Sequence, residues 1–285
     1  FTLSGEGNAA KQILADEWMR MQVELSGWSF YGSRQPSDVS GSRISLSEEV
    51  VVDADDFLLR VTVNDEEKVV DVLGWHDAFT DLPEDGQMHL LFLLLDAALG
   101  EFGTQSMLGT IDAQPIAKDD VDGKHVILLP DLPRFIDHVC SFKGWEPTSP
   151  IEHVSLYKCE PEEGLRRDTV IGQTSIMPII GDLISKSGKL DEDPIAETGA
   201  SLRYLQIDLE IFPNGQQVDV RSNIEEALQE AFDADDTGRV VGGAFGWSGA
   251  YIDLILTDGE RSQAVVDKTL HDLQLAERSK QHSFA

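Results

Sequence analysis

The sequence predicts an α+β protein, in which an N-terminal mixed or antiparallel sheet with helices precedes a small C-terminal ferredoxin-like β-α-β-β-α domain. Three observations carry that expectation. Apolar residues recur at helical spacing in some windows and alternate with polar residues in others, so both periods are present. After residue 200 the two periods follow one another in a tidy order. Between the halves, residues 186–200 (KSGKLDEDPIAETGA) are polar, charged and aperiodic, which reads as a linker. The expected organisation is 1–185 as an α+β domain, 186–200 as the linker and 201–285 as the ferredoxin-like domain.

The elements follow in order. Residues 11–25 place Ile13, Leu14, Trp18, Met21 and Leu25 on one helical face. From Trp28 to Leu73 the apolar residues fall in short runs between polar turns, a sheet meander whose clearest part is the hairpin FLLRVTV, NDEE, KVVDVLGW. Residues 84–99 are apolar almost all round, as in a helix covered on most sides, with Gly100 or Gly103 as its stop. A buried strand over 90–95 is the alternative. Strands are expected near 105–112 and 124–129, and a short helix after Pro130 with Leu132, Phe135, Ile136 and Val139 on one face. One or two strands fall within 151–180.

Beyond the linker, Leu205, Ile207, Leu209 and Ile211 alternate with polar residues, a half-buried strand ending at a Pro213 turn. Ser222 and Glu225 have the spacing of a capping box. Ile224, Ala227, Leu228, Ala231 and Phe232 then give a helical face. Two strands (RVVGGAF and YIDLILT) and a helix from about residue 260 complete β-α-β-β-α, most of a split βαβ unit. Its last strand is missing from this reading, so the sheet has three strands or is completed by another segment or chain.

Composition bounds the partners. The 285 residues carry 52 Asp+Glu against 22 Lys+Arg, a formal charge of -30, with 41% hydrophobic residues. That is a globular composition, and two domains fit the length better than one. Duplex and membrane surfaces demand Lys and Arg, yet no basic run exceeds the pair Arg166 and Arg167. No nucleic acid and no membrane partner is expected. Two cysteines, Cys140 and Cys159, are too few for a disulfide scaffold and suit a reducing cytoplasm. No secretory signal pattern stands at the start, and the longest apolar run, 90–95, is far short of the ~20 residues of a membrane span. A cytoplasmic protein is expected.

Catalytic and metal motifs are weak. There is no nucleophile elbow, phosphate-binding loop or His-Glu-x-x-His. Gly242, Gly243, Gly246 and Gly249 lie between two strands, which suits a bent hairpin better than a phosphate cradle. Asp233, Asp235, Asp236 and Gly238 resemble the start of a calcium loop, but Ala244 stands where a bidentate Glu belongs. His138, Cys140, His153 and Cys159 are the soft-ligand candidates, at a spacing that matches no common zinc site. His76 beside Asp77 could do acid–base work, with no nucleophile in view. No cofactor, metal or catalytic residue is therefore assigned.

The strongest non-random feature is acidity. Between residues 48 and 86 stand 13 carboxylates (Glu48, Glu49, Asp53, Asp55, Asp56, Asp65, Glu66, Glu67, Asp71, Asp77, Asp81, Glu84, Asp85) against Arg60 and Lys68. Held outward on one side of a meander, they would steer a basic protein surface; a solvated face or a salty habitat is the plainer reading. The proposed contact set is Asp53, Asp55, Asp56, Asp65, Glu66, Glu67, Asp77, Asp81, Glu84 and Asp85.

Trp28 to Phe30, the meander behind them, LLLDAALGE (93–101) and MLGTIDA (107–113) resemble a bacterial family of unknown function over about residues 25–140. The C-terminal part resembles small regulatory ferredoxin-like modules. The family implies no catalytic residues; proteins of this build occur as immunity or accessory proteins beside secreted toxins. The expected function is a non-catalytic acidic binding protein, an inhibitor or immunity factor for a basic protein. The alternatives are a hydrolase-like enzyme whose site forms only in three dimensions, and a regulatory module forming a homo-oligomer through the C-terminal sheet.

Overall fold

The computed structural model describes residues 1–21, 24–45, 51–114, 125–147, 149, 152–186 and 188–285. Among these, six helices and three sheets make an α+β protein. Contacts divide the chain into two units, Phe1–Ser4 with Glu24–Pro150, and Gly5–Val23 with Ile151–Ala285. The first helix, α1 (Ala9–Met21), thus belongs to the second unit. No helix among the described residues is long and apolar enough to cross a membrane.

The first unit opens with a short antiparallel pair, β1 (Arg43–Ser45) and β2 (Val51–Asp53). The hairpin of β3 (Leu58–Asn64) and β4 (Val69–Trp75) follows. Its period-2 pattern buries Leu59, Val61, Val70 and Val72 on one face, which fixes the register at Leu58 opposite Trp75. Helix α2 (Glu84–Met107) covers that face with Leu90, Leu91, Leu94, Leu95 and Ala98. Packing is close: a Cβ on Gly74 would stand 2.5 Å from the Leu91 side chain. Strand β5 (Leu108–Ala113) then joins β4 in parallel, β6 (Val126–Leu128) joins β3, and α3 (Leu132–Lys143) completes the core. The sheet order is β5-β4-β3-β6.

The second unit continues with β7 (Ser155–Lys158), β8 (Thr169–Thr174), α4 (Met177–Ser185) and β9 (Ser201–Ile207). Next come α5 (Gln217–Asp235), β10 (Gly238–Gly246), β11 (Ala250–Leu256), α6 (Gly259–Asp272) and β12 (Ser279–Ser283). The six strands form one antiparallel sheet, β12-β9-β11-β10-β8-β7. Every residue of β11 is buried, because both faces are covered. Ile224, Leu228, Phe232, Val266 and Leu270 of α5 and α6 pack on one face; Ala10 and Ile13 of α1 and Ile179, Ile180 and Leu183 of α4 pack on the other.

Several expectations need correction. The helix that begins at Glu84 breaks at Gly100, as expected, but a second helical stretch follows directly and runs to Met107. Gly100 takes φ 74° and the helix resumes, because the Glu101 amide donates to the Arg34 carbonyl at 2.9 Å and residues 34–36 lie against that turn. Trp28 and Phe30 stand outside any strand. Ser222 and Glu225 are interior to α5, so they cap nothing; Glu225 pairs with Arg221 at 2.9 Å instead. The strand expected through Ile211 ends at Ile207, and Leu209–Ile211 forms a 3-10 turn capped by Asp208. A polar strand that the sequence did not suggest, β12, pairs antiparallel with β9, so the sheet is not limited to three strands.

The linker is displaced as well. Residues 186–200 lie within the second unit, where Leu190 and Ile195 are buried in its core. Asp193 accepts the amides of Ile195 and Leu202, tying the segment down by side-chain bonds that aperiodic sequence does not reveal.

Candidate functional site

The acidic residues do not share one side of a meander. Asp65, Glu66 and Glu67 occupy the β3–β4 turn, whereas Asp53, Asp55 and Asp56 precede β3 and Asp77, Asp81, Glu84 and Asp85 follow β4. The two groups therefore lie at opposite ends of a seven-residue hairpin, roughly 20 Å apart by strand rise. Glu48 and Glu49 fall outside the described residues.

Four of the ten predicted contact residues have local employment. Asp53 accepts the Asp55 amide and pairs with Arg43 at 2.8 Å, and these hold its carboxyl below the usual range. Asp55 accepts the Gly41 amide with both oxygens at 3.1 Å. Asp65 pairs with Lys143 of α3 at 2.7 Å, and Glu67 accepts from the Asn64 side chain at 3.4 Å. Asp56, Glu66, Asp77, Asp81, Glu84 and Asp85 are exposed and make no ion pair among the described residues. Five of these six stand at the same end of the hairpin. Glu84 and Asp85 are there for a local reason too, since carboxylates suit the first turn of α2.

The other motifs resolve structurally. His76 Nδ1 accepts the Ala78 amide at 3.1 Å and its ring stacks on Phe57, while Asp77 points to solvent. Asp233 and Asp235 are helical residues of α5 and Asp236 is its left-handed cap, a helix end and not a loop that wraps a cation. Cys140 packs in the core of the first unit and Cys159 in that of the second; burial raises both thiols. No group of three His, Cys, Asp or Glu side chains could hold a metal among the described residues.

What sequence reasoning missed is a buried ionic cluster in the second unit. Arg166, from a left-handed turn residue (φ 66°) before β8, is fully buried. Its Nη2 donates to both oxygens of Asp253, at 2.9 and 2.8 Å. The guanidinium also lies 4.7 Å from the Tyr251 ring centre and 5.3 Å from that of Tyr204. Tyr251 donates to Asp168 at 2.6 Å, and Ser248 donates to the same carboxylate through both its amide and its hydroxyl at 2.7 Å. Burial lifts the Asp253 carboxyl against the pull of Arg166; burial works to lower Arg166, but the Asp253 charge and hydrogen bond together with Tyr157 and Tyr204 leave it raised. Burial raises Tyr251 to about 12. The only sequence signals were an Asp inside an otherwise apolar strand and the lone Arg pair.

On the opposite face, Arg221 and Glu225 of α5 close over Gly243. A Cβ there would overlap Glu225 Oε1, so glycine is required for this approach. Burial pushes Glu225 up to about 7, with Arg221 opposing. A cleft of about 340 Å³ lined by Gln206, Asp208, Ser248, Arg278 and Lys280 reaches the cluster only at Ser248. The cluster ties the 163–168 turn to the sheet, with Arg166 and Asp253 fully buried and Ser248 at its exposed end.

No family model matches the chain, and comparison with curated proteins and with solved structures yields no match. Fold and site together define an α+β protein with an acidic surface in one unit and a closed ionic core in the other.

Proposed function

We propose that the protein is a non-catalytic binding protein whose acidic hairpin end, Asp56, Asp77, Asp81, Glu84 and Asp85, engages a basic protein, as an inhibitor or immunity factor does. One observation supports this above others: five exposed carboxylates converge from three separate segments with no ion pair among the described residues. Such a field accelerates encounter with a cationic surface and weakens as salt screens it. Asp53 and Asp55, at the same end, are held by Arg43 and the Gly41 amide, while Asp65, Glu66 and Glu67 at the far turn stand outside this set. The test is capture of partners from the native host, followed by association kinetics against a variant reversed at the five positions. Partners without a basic surface would refute the reading.

We also infer that β9-α5-β10-β11-α6-β12 is a ferredoxin-like module extended by β8 and β7. Its support is the order β12-β9-β11-β10, in which the first and fourth strands are neighbours and the third lies between the first and second.

A further inference from the structure

Strand β7 is an edge of the six-stranded sheet, protected only by its shortness and by the exposed Lys158 at its end. The opposite edge, β12, reads Ser-Lys-Gln-His-Ser, polar throughout. On β7 the outward face carries Leu156, 79% exposed, preceded by Val154, 52% exposed; Ile171, opposite Lys158 on β8, is 50% exposed. A strand edge flanked by exposed apolar side chains is a template for pairing with another chain.

The backbone direction is set. The Cys159 amide donates to the Val170 carbonyl of β8, so in this antiparallel ladder the odd-numbered residues of β7 bond inward. The amides and carbonyls of Val154, Leu156 and Lys158 then face away from the sheet. Leu156 and Lys158 share the exposed side of β7, and Glu152 and Val154, exposed just before the strand, would join that side if the strand extends through residues 152–154 on pairing.

We propose that β7 pairs antiparallel with β7 of a second copy of this chain, about a two-fold axis at Ser155. In that register Val154 lies opposite the second copy's Leu156, and Glu152 lies opposite its Lys158. The segment Glu-His-Val-Ser-Leu-Tyr-Lys is complementary to itself in charge and in apolar content. Ser155 falls at a non-hydrogen-bonded position, as the outward direction of the even-numbered amides requires. An isologous contact of this kind closes as a dimer. It is smaller than the ~800 Å² per partner of a standard interface, so the dimer is weak and concentration-dependent. It lies in the second unit and involves none of the acidic hairpin residues.

Sedimentation equilibrium tests it, at salt near 0.15 M where the Debye length is about 8 Å and the chain's net charge is screened. The wild type should reach twice the 31.4 kDa chain mass as concentration rises to roughly 100 μM, the regime of a small interface. Lys158→Glu should weaken dimerisation at least about tenfold by setting like charges opposite one another. The double variant Glu152→Lys/Lys158→Glu should restore it. Leu156→Pro removes an outward amide that the monomer's ladder does not use, so it should be monomeric with unchanged circular dichroism. A wild type that stays monomeric, a dimer indifferent to Leu156→Pro, or failure of the double variant to recover would overturn the proposal.

Discussion

At Asp253 one side chain decides whether a buried guanidinium is compensated. Removing one partner of such a pair leaves the other charged and dry, at a cost of about 3–5 kcal/mol. Asp253→Ala should therefore lower the urea-unfolding free energy by that amount. Replacing Arg166 and Asp253 together by Met and Leu should cost clearly less, since no charge is stranded. Glu225 makes a different prediction. A carboxyl whose folded pKa exceeds its ordinary 4.5 binds its proton more tightly in the folded state. Its contribution is complete below about 4.5 and is lost as pH rises through about 7, and Asp253 is shifted in the same direction. Urea midpoints should fall between pH 4.5 and 7.5, and Glu225→Gln should flatten that fall. An unchanged slope in the variant would assign it elsewhere.

Among the elements, those with an intact period were legible: the β3–β4 hairpin, the helices α2, α3 and α6, and the β10–β11 pair. Those missed had no period of their own. Strand β12 is polar and is held by its ladder with β9, so only its neighbour identifies it. Helix α4 begins Met177-Pro178, where proline suits the first turn, but it lies in a region whose sequence suggested only strands. The acidic residues were legible as a set, but their separation to two ends of a hairpin is a consequence of the fold. The Arg166 cluster was illegible because its members are distant in sequence and joined only by burial. Gly100 supplies a test at this scale. A Cβ there would lie 2.8 Å from the Arg34 carbonyl, and its φ is left-handed. Gly100→Ala should cost about 1–3 kcal/mol, read as a lowered melting temperature; an unchanged value would mean that residues 34–36 do not hold that turn.

For the whole molecule, the packing of 186–200 predicts that limited proteolysis spares this segment, because Leu190 and Ile195 must leave the core before a protease can bind them. First cleavage there would contradict that packing. The central claim concerns where the charge of -30 acts. It is tested by comparing two variants of equal net charge. One reverses Asp56, Asp77, Asp81, Glu84 and Asp85 to Lys; the other reverses five exposed carboxylates of α5 and α6, Glu230, Asp233, Asp235, Asp267 and Asp272. Both must retain native circular dichroism, since lysine in the first turn of α2 costs a few tenths to about 1 kcal/mol per site. The measurement is the association rate with the captured basic partner at physiological salt. The first variant should be slower by about tenfold or more while the second stays near wild type; equal rates for the two would show that the acidity acts only as bulk charge and that the hairpin end is not the binding surface.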